Sequence, residues 1–189
     1  MCDMDHFYQT IDGWFDFEDI YRRMVIEAPA EAHFVEVGAF LGKSTSFMAV
    51  EISNSRKDIR FDVVDTWEGS IEHKEGAEHE RKTVLEGTLF DNFKRNMKPV
   101  AHIITPVRAP SLEAAKRYRN DSLDFVFLDA AHDYENVKAD IIAWRPTVKS
   151  GGYLGGHDYQ LLFPGVMKAV EEEFPQFGTS GFTRLVRIP

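Results

Sequence analysis

A single cysteine, Cys2, is all that this chain of 189 residues contains. One thiol cannot build an internal disulfide framework, so the fold must stand on its own core, and a reducing compartment suits it. Long apolar runs are missing as well, since none approaches the ~20 residues of a membrane span. The opening Met1-Cys2-Asp3-Met4-Asp5-His6 has neither the basic nor the apolar part of a signal peptide. The expected location is therefore cytoplasmic, with no membrane partner. Positive charge is in short supply, with 22 Lys and Arg against 31 Asp and Glu and a net charge of −9. That balance argues against nucleic acid or an anionic membrane as the main partner. Internal repeats, low-complexity tracts and interdomain linkers are absent too. What remains is the length of one domain, enough to bury roughly 70% of the unfolded surface.

The apolar residues present are patterned. Phe7, Tyr8, Ile11, Trp14 and Phe15 make residues 5–15 rich in aromatics. Asp16 is a plausible N-cap for a helix with Phe17, Ile20, Tyr21, Met24 and Val25 on one face, ending before Pro29. Residues 1–30 are expected to pack as a flap on a core domain spanning 31–189. Within that domain, runs at His33–Val37, Arg60–Asp65, Ala101–Thr105 and Leu123–Asp129 read as strands, followed by a glycine-heavy one at Gly151–Gly156 and a last one at Phe182–Ile188, paired with a short one near Phe177. Helical patterns alternate with them at Ser44–Ser53, Ser111–Tyr118, Asp133–Trp144 and Val166–Phe174. The alternation predicts an α/β fold: an open, doubly wound, mostly parallel seven-stranded sheet, with its last strand antiparallel. Residues 68–97 break the pattern with a polar stretch containing Glu72, Lys74, Glu75, Glu78, Glu80, Arg81 and Lys82, then a helical Leu89–Met97. This excursion reads as solvated surface or as a lid over a site.

The first strand delivers Glu36-Val37-Gly38-Ala39-Phe40-Leu41-Gly42-Lys43-Ser44, a glycine turn entering a helix. Strand, turn and helix N-terminus together suit a charged cofactor. A phosphate-binding loop needs four residues between its first glycine and Gly-Lys-Ser, and this turn has three. Phe40 occupies the place of the glycine that lets a pyrophosphate approach in a dinucleotide fold. Glu36 would repel phosphate and attract an ammonium or sulfonium group, and Lys43 reads as incidental. Asp65, ending the second strand, is placed to accept hydrogen bonds from ribose hydroxyls. A nucleoside with a cationic, amino-acid-like tail satisfies all of this, and S-adenosylmethionine is such a molecule.

The motif Glu36-x-Gly38-x-x-x-Gly42-x-Ser44 resembles the cofactor loop of class I S-adenosylmethionine-dependent methyltransferases, in particular the catechol and macrolide-sugar O-methyltransferases. Val64-Asp65-Thr66-Trp67, Asp124–Tyr134 and Gly151–Tyr159 recur in the same order in the small bacterial and phage members. The resemblance implies that Glu36, Gly38, Gly42 and Ser44 line the methionine end of the cofactor. It further implies that Asp65 holds the ribose with Trp67 near the adenine, and that Ala109-Pro110-Ser111 stands where a Gly-x-Ser segment contacts adenine. Asp129 is expected near the cofactor's ammonium.

A second constellation follows two neighbouring strands. Asp129 ends the fourth, and His157 and Asp158 follow the fifth, so in a sheet ordered 3-2-1-4-5 all three reach the crevice where ligands bind. Two carboxylates and an imidazole suit a divalent cation, Mg²⁺ or Mn²⁺, with positions open to water and substrate. His132 lies on the loop above. By the resemblance, Asp129-x-x-His132 supplies a metal ligand and the general base, His132, for O-methylation of a hydroxylated small molecule or sugar. Other readings stay open. His132, His157 and one carboxylate match the triad of a non-haem iron oxygenase, and a non-catalytic cofactor-binding module has the same fold. His6, His33, His73, His79 and His102 read as structural or surface residues, and Asp133 as a helix cap. Neither the acceptor nor the oligomeric state is legible from the chain.

Overall fold

Period-2 alternation along the central strands sorts the core into two layers of different character. In a computed structural model, which describes residues 3–69 and 78–189 and leaves out the side chains of 78–81, the strands β1 (His33–Val37), β2 (Arg60–Asp65), β3 (Ile104–Arg108), β4 (Leu123–Leu128), β5 (Val148–Gly156), β6 (Gly178–Ser180) and β7 (Thr183–Arg187) form one sheet. Phe34, Phe61, Phe125 and Phe127 point into an aromatic layer with Phe17, Tyr21 and Phe47. Val35, Val37, Val126 and Leu154 point the other way, against Trp144, Ile141, Val166 and Ala169. The helices α1 (Glu18–Glu27), α2 (Lys43–Ser55), α3 (Glu78–Leu85) and α4 (Leu89–Asn96) lie on the first side. On the second lie α5 (Ser111–Ala115), α6 (Tyr134–Trp144) and α7 (Pro164–Glu173). No described helix is long and apolar enough to cross a membrane.

The strand order is β3-β2-β1-β4-β5-β7-β6, with β1 to β5 parallel and β7 antiparallel to both its neighbours. The winding reverses between β1 and β4, which opens a crevice at their carboxyl ends. The third strand starts three residues later than its apolar run suggested. Lys98–Val100 form a 3₁₀ turn, and the edge strand that follows is mostly exposed. Its Pro106 is tolerated because an edge strand need not use every N–H.

At the N-terminus, the 3₁₀ turn Tyr8–Thr10 and its neighbours lie on α2, with the His6 ring stacked on Phe47 at 4.4 Å and bonded to Glu51 at 2.8 Å. Asp16 does not cap α1. Phe17 occupies the N-cap without a side-chain bond, while Glu18 and Asp19 in the first turn complement the helix dipole. Asp133 does cap α6, accepting the Asn136 N–H at 3.0 Å. Of the expected polar excursion, residues 70–77 lie outside the described residues. Leu89 and Phe93 of α4 are buried in the aromatic layer.

At the amino ends of β1 and β2, His33 Nε2 and the Tyr118 hydroxyl meet Asp62 Oδ2 at 2.8 and 3.0 Å. Burial raises the Asp62 pKa, but His33 and Tyr118 outweigh it and leave the carboxyl below its ordinary value. A depressed carboxyl contributes stability above its unfolded pKa and loses it as the pH falls through the folded value. We expect Asp62→Ala to cost about 2 kcal/mol at neutral pH, by leaving two half-buried groups without their acceptor. In urea unfolding across pH, that cost should shrink once the pH drops below the ordinary aspartate value of 3.8. A cost constant down to the acid limit of the fold would contradict it.

Candidate active site

Three strand tips are stitched together by backbone. The Gly38 N–H donates to the Val64 carbonyl at 2.9 Å, and the Asp129 N–H to the Val37 carbonyl at 2.8 Å. Gly38 adopts φ +94°, and a Cβ there would lie 2.0 Å from the Asp129 carbonyl oxygen, so no other residue fits. Asp65 Oδ2 accepts the N–H groups of Ala39 and Phe40 at 2.8 and 2.9 Å, while Oδ1 accepts that of Trp67 at 2.7 Å. The glycine turn is thus held by the tip of β2, although Phe40 carries φ +48°.

A cleft of about 1040 Å³ opens over these tips. Its wall brings together Gly38, Ser44, Asp65, Ser111, Asp129, His132, His157 and Asp158, all singled out from the sequence. It does not bring Glu36, Gly42 or Trp67 to the surface of the cleft. Glu36 shares the pleat face of Phe34, so it points into the helical layer and is 1% exposed. There it accepts the hydroxyls of Tyr21 (2.7 Å), Ser44 (2.6 Å) and Thr45. Gly42, at φ +90°, is the N-cap of α2, packed so that a Cβ would meet Met97 at 2.7 Å and Phe93 at 3.1 Å. Trp67, at φ +52°, turns its ring down onto Phe90 and Phe93, and its indole N–H donates to the Phe40 carbonyl at 3.1 Å. Instead of lining the cleft, it braces the turn from below. Ser111 donates to Asp140 at 2.5 Å and accepts the Trp144 indole N–H at 2.9 Å. Lys43 is not incidental, because its ammonium donates to the Gly13 carbonyl at 3.0 Å and ties the N-terminal segment to the turn.

At the β4 and β5 tips, Asp129, His132 and Asp158 each offer a ligand atom within 4.8 Å of the others, close enough for one cation. His132 Nε2 lies 2.9 Å from Asp158 Oδ2, and its ring stacks on Phe163 at 4.5 Å. His157 stands beside this group rather than in it. Its Nε2 pairs with Asp16 at 2.8 Å, its Nδ1 lies 3.2 Å from Asp158 and 3.9 Å from Asp129, and Phe17 packs on its ring. Among the described residues the cluster is therefore one histidine with two carboxylates, not the two-histidine set of an oxygenase triad. The Asp16 contact spans 141 positions and had no local signal in the sequence.

These groups shift one another. Burial raises Asp129 to about 6, against the pull of His157 and His132. Burial would lower His157, but Asp158, Asp129 and Asp16 lift it to about 9. Asp158 is held far below the usual carboxylate range by the two imidazoles, in spite of burial. Glu36 is raised to about 7 because burial outweighs its three hydroxyl donors.

This fold, with a glycine turn at the switch point and acidic tips on either side, is that of the class I S-adenosylmethionine-dependent methyltransferases. A family model described as a methyltransferase domain matches residues 35–159, and the chain belongs to that family. Among solved structures it is similar to the O-methyltransferase NovP, at 18% identity and TM-score 0.68, over 90% of this chain and 78% of that one. It is also similar to the apo TDP-rhamnose 3'-O-methyltransferase of calicheamicin biosynthesis, at 15% identity and TM-score 0.60, over 90% and 76%. A third is the Bacillus cereus O-methyltransferase in complex with SAH, at 15% identity and TM-score 0.60, over 90% and 79%. At such identities the likeness establishes the fold. No curated protein sequence matches the chain significantly.

The raised Glu36 has a measurable consequence. A carboxyl whose folded pKa exceeds its unfolded one stabilises fully below the unfolded value and progressively less as the pH rises through the folded value. Between the ordinary 4.5 and about 7, the wild type should lose about 3 kcal/mol that Glu36→Gln does not lose. Urea unfolding of both proteins at pH 5 and 8 measures this. Parallel pH profiles would show that Glu36 is not raised.

Proposed function

We propose that the chain transfers a methyl group from S-adenosylmethionine to a hydroxyl of a small molecule, with Asp129 and Asp158 holding a divalent cation and His132 acting as general base. One observation carries the reading: the glycine turn and the Asp129–His132–Asp158 group share a single cleft. The donor set suits Mg²⁺ or Mn²⁺. When bound, the sulfonium nucleoside supplies an activated methyl group, and the cation lowers the cost of the developing alkoxide.

The chain's own residues do the rest. Gly38 lets the backbone approach the cofactor, and the amides opening α2 at Lys43 and Ser44 suit its carboxylate. Asp65 keeps a lone pair on Oδ1 for a ribose hydroxyl while holding the turn, and Ser111 stands on the wall toward β3. Asp158 orients the His132 imidazole through Nε2, and His132 takes the hydroxyl proton at Nδ1. Alignment of hydroxyl and methyl in a closed cleft contributes much of the rate. The acidic surface and cleft leave nucleic acid and membrane out of the proposed partners.

Thermal unfolding with S-adenosylmethionine, in the presence of Mg²⁺, Mn²⁺ or EDTA, tests the cofactor and the cation separately. A ligand at 100 times its Kd stabilises by about 2.7 kcal/mol, an easily measured shift. No shift under any condition would overturn the reading, and a shift indifferent to metal would remove the cation. His132→Ala should lower kcat by about 10²–10⁴. It should leave cofactor and Mn²⁺ affinity within about threefold of the wild type, a change below ~0.7 kcal/mol. A large loss of Mn²⁺ affinity would make His132 a ligand through Nδ1, the nitrogen that Asp158 does not hold, and remove it as the base.

A further inference from the structure

At about 1040 Å³ the cleft stands at the top of the range for ligand sites, with room for a second molecule beside the cofactor. Its outer walls are built from different material than its floor. On one side runs the segment 12–16, which is held at both ends. The Lys43 ammonium bonds the Gly13 carbonyl at 3.0 Å, and Asp16 pairs with His157 at 2.8 Å. Between these anchors stands Trp14, which lines the cleft yet is 70% exposed, whereas Trp67 and Trp144 are 2% and 0% exposed. Another part of the wall comes from Phe163 and Gln160 after β5 and from Phe182 before β7, which is 45% exposed. The Tyr159 N–H donates to the Phe182 carbonyl at 2.9 Å and joins those two stretches. Aromatic surface left open on the wall of a cleft is poorly spent on solvent and well suited to a flat apolar ligand.

Charge narrows the ligand further. The described wall carries the carboxylates of Asp12, Asp16, Asp65, Asp129 and Asp158 against the Lys43 ammonium, already bonded to Gly13, and the His157 imidazole, already paired with Asp16 and Asp158. Phosphate is recognised by Arg or Lys forks or by helix N-termini. No arginine is among the described wall residues, and the α2 N-terminus is taken by the cofactor's carboxylate in the reading above.

We infer that the acceptor is an uncharged hydroxylated molecule with a planar apolar body, seated against Trp14 and Phe182, and not a nucleotide-linked or phosphorylated sugar. This rests on the methyl-transfer reading. Trp14 is then a specificity-determining residue whose loss leaves the cofactor's contacts intact.

Calorimetric titration of the full chain loaded with S-adenosylhomocysteine tests the inference, using esculin (a neutral coumarin glucoside) and uridine diphosphate glucose as probes. Esculin should bind, and the nucleotide sugar should bind at least about tenfold more weakly. Trp14→Ala should weaken esculin by about tenfold and leave S-adenosylhomocysteine within about threefold. The indole is 70% exposed, so the variant should fold. The inference is overturned by equal or tighter binding of the nucleotide sugar, by no esculin binding at millimolar concentration, or by esculin affinity indifferent to both Trp14→Ala and Phe182→Ala. Failure of the wild type to bind S-adenosylhomocysteine sinks the methyl-transfer reading itself, before either probe is tried.

Discussion

The tips of β1 and β4 touch, and a β-carbon on Gly38 would be 2.0 Å from the Asp129 carbonyl oxygen. That contact exists because glycine has no side chain and tolerates positive φ. With it in place, the Asp129 N–H reaches the Val37 carbonyl and the Gly38 N–H reaches the Val64 carbonyl. Two acidic residues inherit their positions from this stitching. Asp65 follows Val64 directly and braces the turn, while Asp129 follows the last residue of β4 and opens the second half of the cleft. The glycine-turn side and the Asp129–His132–Asp158 side of the cleft are therefore parts of one backbone arrangement.

The second half is shaped by charges taken partly out of water. Asp129, His132 and Asp158 cluster with His157 beside them, and Asp129, Asp158 and His157 are each shifted by their charged neighbours. The two carboxylates separate for a physical reason. Asp158 faces the two imidazoles at 2.9 and 3.2 Å, while Asp129 meets His157 only at 3.9 Å, so the desolvation of its charge prevails. Proton and cation occupancy of such a cluster belong to the group and not to single residues.

Central strands buried on both faces read as apolar runs, so β1, β2 and β4 were plain in the sequence, as was the parallel order that places their tips together. The exposed edge strand β3 gave a weak pattern, and its start was misplaced behind Pro99. Residues at or just past a strand end, such as Asp65, Asp129 and Asp158, were legible as cleft residues because topology carries them there. Glu36 and Trp67 were not, since strand parity and local φ decide where those side chains point. Glu36 follows Phe34 into the helical layer, and Trp67, at φ +52°, folds under the turn. Thr45 and Tyr21 had no motif to announce them as its partners. Contacts between distant positions, Asp16 with His157 and Lys43 with Gly13, leave no trace in local periodicity.

Glu36 also carries a lesson about inheritance. Its carboxylate is the shared acceptor for Tyr21, Ser44 and Thr45, drawn from α1 and the first turn of α2. An aliphatic residue at 36 would leave three hydroxyls in the core with nowhere to donate, and an isolated change at 21, 44 or 45 would leave the acid short of a donor. The four positions are thus coupled through one acid, and a change at any of them is best tolerated with a matching change at another.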